Sequence, residues 1–241
     1  MRHIAAYCGT RNTYLDMLAS IKSLIKHSDV DAIYLLIEDD EFPVEIPDLC
    51  HVINVSNQPF FKPNGANMNS QYTYMAMMRA ALCHVLTAED VVLSLDFDTI
   101  IVDDISGIWD LPIEDCYFAA CPEWHRSKNG LRYTNHGVVL FNLKKLRDGK
   151  ADEVIEVLNS TFFRWVEQDV MNYLCQGRIY PMPNKFNQNE WTVHPPETEP
   201  CSHPTLVHYA GIKHWQDEPL VLAYKDVSWD EVMKSRTQEH I

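Results

Sequence analysis

The chain is predicted to fold as an α/β domain around a largely parallel, doubly wound sheet, and three observations carry that prediction. Short apolar runs alternate with helical patterns through the first hundred residues, the order expected of parallel strands joined by crossover helices. The 241 residues suit one such domain with a full core. An apolar run at 91–95 ends in two carboxylates, Asp96 and Asp98, and open α/β sheets bind ligands beyond the carboxyl ends of their strands.

HIAAYC opens as a strand, GTRNTY follows as a loop, and Leu15, Leu18, Ile21, Leu24 and Ile25 then recur at helical spacing. AIYLLI at 32–37 and HVINV at 51–55 read as the next two strands, on either side of an acidic, proline-containing turn. QYTYMAMMRAALCHVL at 71–86 reads as a helix and VVLSL at 91–95 as a buried strand. In the second half YFAACPE and GVVLFNL suggest strands, DEVIEVLNSTFFRWVEQDVMNYLC one or two helices, and LVHYAG a late short strand. NKFNQNEWTVHPPETEPCSHP is rich in Pro, Asn and Glu and is expected to be mostly loop. A loop of that length in a compact domain is more often functional than idle. Residues 1–241 are read as a single domain.

The composition, 46% hydrophobic and 22% charged, is that of a globular protein. A formal net charge of −14 disfavours nucleic acid, because phosphate backbones are bound by many Lys and Arg acting together. It also means that any anionic ligand must be held by local cations or by a metal. No apolar run approaches the roughly 20 residues needed to span a bilayer. MRHIAAYCGTRNTY reaches polar residues too soon for a secretory signal, so the expected address is cytoplasmic. The seven cysteines are scattered, with no C-x-x-C pair, and are expected to be reduced thiols rather than a zinc site.

Asp96 and Asp98 stand at i and i+2, a spacing at which two carboxylates can share a hard cation directly or through water. The pattern is short, and Asp29-Val30-Asp31 repeats it. That second copy precedes its strand, at the opposite edge of the sheet, and is read as a solvated turn. Pattern alone leaves a metal site and an incidental pair both open; position favours the metal site.

Around those acids, LDFDTIIVDDISGIWD resembles the donor-metal motif of retaining glycosyltransferase family 8. Three further stretches match in order: TNHGVVLFNL resembles the family's Asn-Ala-Gly segment, EQDVMN its Asp-Gln-Asp helix start, and HYAGIKHW its His-x-x-Gly-x-x-Lys-Pro-Trp ending. Arg79, in the helix before the metal strand, fits the family's donor-directed Arg. The chain departs from the motifs at His136 in place of Ala, Glu167 in place of Asp and His214 in place of Pro, and Lys213 follows His208 one residue sooner.

The resemblance implies a GT-A-type domain, with residues 1–100 as its nucleotide-binding half and 101–241 as its acceptor and catalytic half. The implied activity is metal-dependent, retaining transfer of a hexose, glucose or galactose, from a UDP-sugar donor to a hydroxyl acceptor such as a glycan. Asp96, Asp98 and His208 are the implied metal ligands. An imidazole beside two carboxylates suits Mn2+ better than Mg2+, which stays the second option. Arg79, Asp96, Phe97, Gly211 and Lys213 are expected on the donor, Thr10, Asn12 and Tyr14 on its base and ribose, and Asn135 on sugar hydroxyls. Glu167, Gln168 and Asp169 are the candidate catalytic residues. Retaining hydrolases use a carboxylate nucleophile, whereas an amide such as Gln168 is a poor one. The resemblance therefore implies a front-face mechanism in which the leaving phosphate oxygen takes the acceptor proton, with Glu167 as nucleophile left open. The loops at 60–72 and 184–196, rich in Asn, Gln and aromatic residues, are expected to frame the acceptor.

Plainer readings stand beside these. His208 can be a core histidine, Lys213 a surface lysine, Tyr14 a core tyrosine opening a helix, and EQDVMN a helix start whose acids meet the dipole. A different metal enzyme, transferring phosphoryl or nucleotidyl groups, and a catalytically weak nucleotide-sugar-binding protein are the rival functions.

Overall fold

Four apolar segments build the parallel half of the sheet: β1 (Ile4–Cys8), β2 (Ala32–Ile37), β3 (Cys50–Asn54) and β4 (Val91–Leu95), in the order β3-β2-β1-β4. The structure is a computed structural model that describes residues 2–127, 131–192 and 203–238. A short strand, β5 (Thr99–Ile101), follows at once, then β6 (Phe118–Pro122), β7 (Thr134–Asn142), β8 (Ile179–Pro181) and β9 (Leu206–His208). The main sheet continues β4-β7-β6-β8, with β7 antiparallel to both its neighbours and β8 parallel to β6. The sheet is thus mostly parallel, as expected, with one reversed strand at its centre. All nine residues of β7 are buried.

Both faces of the sheet are covered, which is why its strands read as continuous apolar runs. Ile4 and Ala6 of β1 point into one core, shared with α2 (Tyr74–Met78), α3 (Leu82–Val85), α5 (Lys150–Ser160) and α6 (Val166–Leu174). Ala5 and Tyr7 point into the other, where α1 (Tyr14–Lys26) buries Met17, Ile21, Leu24 and Ile25. The period of two along the strand and of 3.6 along the helix place these residues. A short α4 (Leu143–Leu146) follows β7, and α7 (Pro219–Lys225) and α8 (Trp229–Gln238) close the described chain over α1.

Three details differ from the sequence reading. The single helix expected over 71–86 begins only at Tyr74, because Thr73 is extended, and tightens to a 3-10 turn at Arg79–Ala81. The β5 and β8 strands, three residues each, are too short for any periodicity to register. The Asn-rich loop contains a 3-10 turn at Asn184–Phe186 within its described part; residues 193–202 lie outside the described residues. The six described cysteines are all free, and no described helix is long and apolar enough to cross a membrane.

β5 pairs antiparallel with β9 to form a separate two-stranded sheet, with Thr99 opposite His208. A buried chain of hydroxyls bolts it to the core. Tyr7 Oη lies 2.9 Å from Ser20 Oγ, Ser20 Oγ 2.9 Å from Thr99 Oγ1, and Thr99 donates to the Asp96 carbonyl at 2.7 Å. Ser23 Oγ accepts from the Ile101 backbone N–H at 2.9 Å. Ser20→Ala removes the middle of this chain and strands the Tyr7 hydroxyl in the core. Urea unfolding is expected to register a loss of about 1–3 kcal/mol; unchanged stability would mean that the turn after β4 does not depend on the chain.

Candidate active site

The helix after β1 packs on one face of the sheet, and the helices before β4 pack on the other. The crevice between the carboxyl ends of β1 and β4 is therefore the point at which the winding reverses, where doubly wound sheets take their ligands. Asp96 and Asp98 leave β4 there. The Asp96 N–H is held by the Gly137 carbonyl at 2.8 Å, and the Asp98 carbonyl accepts from Tyr209 N–H at 2.9 Å. The second bond extends the β5–β9 pairing, and that pairing delivers His208 to acids far earlier in the chain. His208 Nε2 lies 3.3 Å from Asp98 Oδ1 and 3.8 Å from Asp96 Oδ2. The three side chains can offer ligand atoms that all fall within 4.8 Å of one another.

The hydrogen bonds behind His208 test whether a cation fits. Asn187 donates through Nδ2 to Asn135 Oδ1 at 3.0 Å, so its own Oδ1 is the acceptor facing His208 Nδ1 at 2.9 Å. Asn189 Nδ2 also lies 3.3 Å from that nitrogen but has a shorter bond, 2.9 Å, to Asn187 Oδ1. The proton of the neutral ring thus belongs on Nδ1, and the Nε2 lone pair faces two carboxylates. Three electron-rich atoms turned toward one point repel unless a cation or proton lies between them, and a carbonyl behind the imidazole is the usual way to orient a metal-binding histidine. Burial opposes charge on His208, but Asp98 and Asp96 outweigh it and raise the imidazole above its ordinary value. Desolvation at the cavity floor raises Asp96, with Arg79 pulling the other way. Both shifts mean that a bound cation displaces protons, so its affinity falls as pH drops.

Gly137 makes this arrangement possible. A Cβ at that position would stand 1.9 Å from His208 Cε1, well inside any contact distance. The glycine of the TNHG stretch is required by the close approach of the imidazole to β7.

Arg79 joins the acids to the start of α6. Its Nη1 lies 3.0 Å from Asp96 Oδ1 and donates to the His136 carbonyl, while Nε lies 3.3 Å from Glu167 Oε1. Burial works against its charge, but Asp96 and Glu167 hold the guanidinium firmly protonated. At the entry to α6, Val166 has φ +34°, a conformation that β-branched residues avoid. Strain of this kind persists where surrounding structure enforces it, and here it turns Glu167 and Gln168 into the cavity. Gln168 Oε1 accepts from His136 N–H at 2.9 Å, and Nε2 donates to Tyr133 Oη at 3.1 Å and Glu123 Oε1 at 3.3 Å. Asp169 instead turns back on its helix. It accepts from Trp165 N–H at 2.9 Å and from Tyr133 Oη at 2.5 Å, the dipole-satisfying role named as the plain reading.

Arg79, the two acids, His208, Glu167 and Gln168 line a cavity of about 240 Å³, which Asp169 does not reach; it adjoins a crevice of about 310 Å³, the two sharing Tyr72, Ala76, Arg79, Asp96 and Asp98. Thr10 and Phe97 line the crevice, and Gly211, at φ +74°, lines the cavity. Asn135 lines the cavity too, though its amide is already used: Nδ2 donates to Glu123 at 2.9 Å and Oδ1 accepts from Gly137 N–H at 3.0 Å. Asn12 and Lys213 are exposed and outside both linings. Tyr14 is buried in the core of α1 beside Phe42, its hydroxyl accepting from Glu38 N–H at 2.8 Å and donating to Asp39 at 3.2 Å. Of the two loops expected at the acceptor, Gln71, Tyr72 and Trp191 reach the openings. Asn67 spends its amide on the backbone around Leu158, Thr161 and Phe163, and Asn187 spends its own on His208.

Sequence reasoning missed Glu123, Arg126 and Asn187. Glu123 follows an apolar strand just as Asp96 does, so the same strand-end signal was available. Arg126 sits over the Trp165 ring at 4.5 Å and 3.4 Å from Glu123 Oε2, contacts that no short motif announces.

A mostly parallel α/β sheet with a two-carboxylate, one-histidine cluster at its winding reversal defines the class of GT-A glycosyltransferases, and the fold comparisons agree. GlyE of Streptococcus pneumoniae matches with a TM-score of 0.72 at 20% identity, covering 100% of this chain and 64% of its own. An active-site mutant of LgtC matches with a TM-score of 0.69 at 17% identity, covering 96% of this chain and 95% of its own. A putative glycosyltransferase of Haemophilus influenzae is 27% identical over 107 residues, 39% of this chain and 32% of that protein. The chain thus spans less than two thirds of the length of the first and third of these relatives. The model of glycosyl transferase family 8 matches residues 4–218, and the chain belongs to that family.

Gly137→Ala puts a methyl group where the imidazole lies. The variant is expected to stay folded by circular dichroism yet to lose the rise in melting temperature that a divalent cation gives the unaltered protein. A full thermal shift in the variant would separate His208 from cation binding.

Proposed function

We propose that the chain transfers a hexose, glucose or galactose, from a UDP-sugar to the hydroxyl of a carbohydrate acceptor, with retention of configuration and with Mn2+ as the preferred cation. The observation that carries this reading is the His208 imidazole, whose lone pair is turned by Asn187 toward Asp96 and Asp98 at the mouth of the crevice. Four carboxylates, Asp96, Asp98, Glu123 and Glu167, surround the cavity against two guanidinium groups, Arg79 and Arg126. A diphosphate would be repelled there without a further positive charge. Asp96, Asp98 and His208 would hold a divalent cation, which would supply that charge and act as a Lewis acid on the departing diphosphate, a contribution of several kcal/mol.

The crevice beside Thr10 and Phe97 is assigned to the nucleotide and the cavity to the hexose. Arg79, already beside Asp96, is placed to follow the donor's charge as it moves to the leaving group. Gln168 and Asn135, their amides held by protein partners, form part of the cavity wall assigned to the hexose, and Trp191 and Tyr72 offer aromatic faces at the rim for the acceptor. Glu167 is held by Arg79 and Gln168 by His136, Tyr133 and Glu123, so each works as a fixed dipole or charge beside an oxocarbenium-like centre. That favours front-face chemistry, in which the leaving phosphate oxygen takes the proton of the incoming hydroxyl.

Two experiments test the reading. UDP and its sugars are expected to raise the melting temperature only with a divalent cation present, Mn2+ more than Mg2+; equal stabilisation in excess chelator would sink the metal dependence. The two acidic pairs give a sharper contrast. Asp98→Asn removes an anionic ligand and is expected to lower donor turnover at least about a hundredfold, the scale of losing one electrostatic stabiliser from an active site. Asp31 is exposed and accepts one bond, from His3 N–H at 2.6 Å, which an amide oxygen can also accept. Asp31→Asn is expected to leave turnover unchanged. Near-normal turnover by Asp98→Asn, on a nucleotide sugar that the unaltered protein uses, would remove the metal from its assigned place.

A further inference from the structure

Two of the three motif positions at which this chain carries unexpected residues, 136 and 167, touch. His136 Nδ1 lies 3.5 Å from Glu167 Oε1, and both side chains are about 98% buried or more. Neither atom has a hydrogen-bond partner elsewhere or closes one across the 3.5 Å gap, so each is left to the other and to Arg79 Nε, 3.3 Å from Glu167 Oε1, at charge-pair distance. Both residues line the cavity.

The tautomer of His136 follows from its other neighbour. Asn172 Oδ1 accepts from Thr134 N–H at 2.7 Å and Thr134 Oγ1 at 2.9 Å, and Nδ2 donates to the carbonyls of Thr134 at 2.8 Å and Gln168 at 2.9 Å. The orientation of that amide is therefore fixed, and with both hydrogens spent on those carbonyls it faces His136 Nε2 at 3.4 Å with a nitrogen that cannot accept. A proton on Nε2 would meet that NH2 group with nothing to accept it, so the neutral ring carries its proton on Nδ1, on the side of Glu167. Phe118 packs edge-on against the same ring, with centroids 5.1 Å apart, and fixes its plane. The His136 backbone acts in concert: its carbonyl accepts from Arg79 and its N–H donates to Gln168.

We infer that His136 is a positioning residue, whose Nδ1–H and ring together hold the Glu167 carboxylate, and with it Arg79, in register with the donor sugar. The longer Glu at 167 and the imidazole at 136 form a matched pair: the imidazole occupies the space beside the carboxylate and supplies the donor that Arg79 alone does not. The strained entry at Val166 leaves the helix start little freedom to realign by itself. The inference rests on the transferase reading for its catalytic consequence, but not for the pairing.

Two double-mutant cycles test it, on His136→Ala, Glu167→Asp and the combination. In melting temperature, the double variant is expected to lose clearly less than the sum of the singles, because each single already breaks the contact. Additive losses would overturn the pairing, whatever the substrate proves to be. In turnover of a UDP-sugar with Mn2+, each single is expected to lower kcat about ten- to hundredfold with donor KM changed less than about twofold, and the double to fall no further than the worse single. His136→Gln, which keeps an N–H donor, is expected to recover part of the loss, and it stands in if His136→Ala does not fold. Multiplying losses, or a His136→Ala enzyme that melts lower but turns over normally, would overturn positioning and leave the transferase intact. If the unaltered protein turns over no UDP-sugar, the transferase reading fails while the melting cycle still decides the pairing.

Discussion

The site depends on one buried imidazole held with its lone pair toward two carboxylates. With neither a proton nor a cation between the three groups that arrangement is repulsive, and the protein spends several elements to keep it. The β5–β9 ladder carries His208 across the sheet, Asn187 and Asn135 fix its tautomer, and Gly137 gives up a side chain to let it approach. The Tyr7–Ser20–Thr99 hydroxyl chain then ties the turn bearing the acids to α1, so that a disturbance of the helix is felt at the ligand positions. A cation would turn the repulsion into binding, and the proposed chemistry would then rest directly on the fold.

Charge explains the remainder of the cavity. An acidic chain binds an anionic donor only where positive charge is concentrated, and Arg79 concentrates it by touching Asp96 on one side and Glu167 on the other. A guanidinium suits that bridging position because it stays protonated when buried and its fork reaches two carboxylates at once. Arg126, over the Trp165 ring and beside Glu123, brings a second guanidinium to the same cavity.

Much of this was legible in the sequence, for reasons that residues make plain. AIYLLI and VVLSL match their strands to the residue, because strands buried on both faces leave an uninterrupted apolar run. Asp96 and Asp98 were legible because polar pairs rarely end such a run without cause. Tertiary relations were not. Nothing local in LVH says that it pairs with TII, and the three-residue strands fall below the length at which alternation can be seen. Composition marks the Asn-rich loop as a whole, for an acceptor, without singling out Asn187, whose amide serves an imidazole. Tyr14 was ambiguous in sequence because an aromatic at a helix start can face either way, and it packs inward.

The central claim is that one divalent cation sits between Asp96, Asp98 and His208. Crystals grown with Mn2+ and UDP, measured on both sides of the manganese absorption edge, test it most directly. A single strong anomalous peak within bonding distance of a carboxylate oxygen of each Asp and of His208 Nε2 is the expected result. A peak elsewhere, or none beside an ordered diphosphate in the crevice, would contradict it.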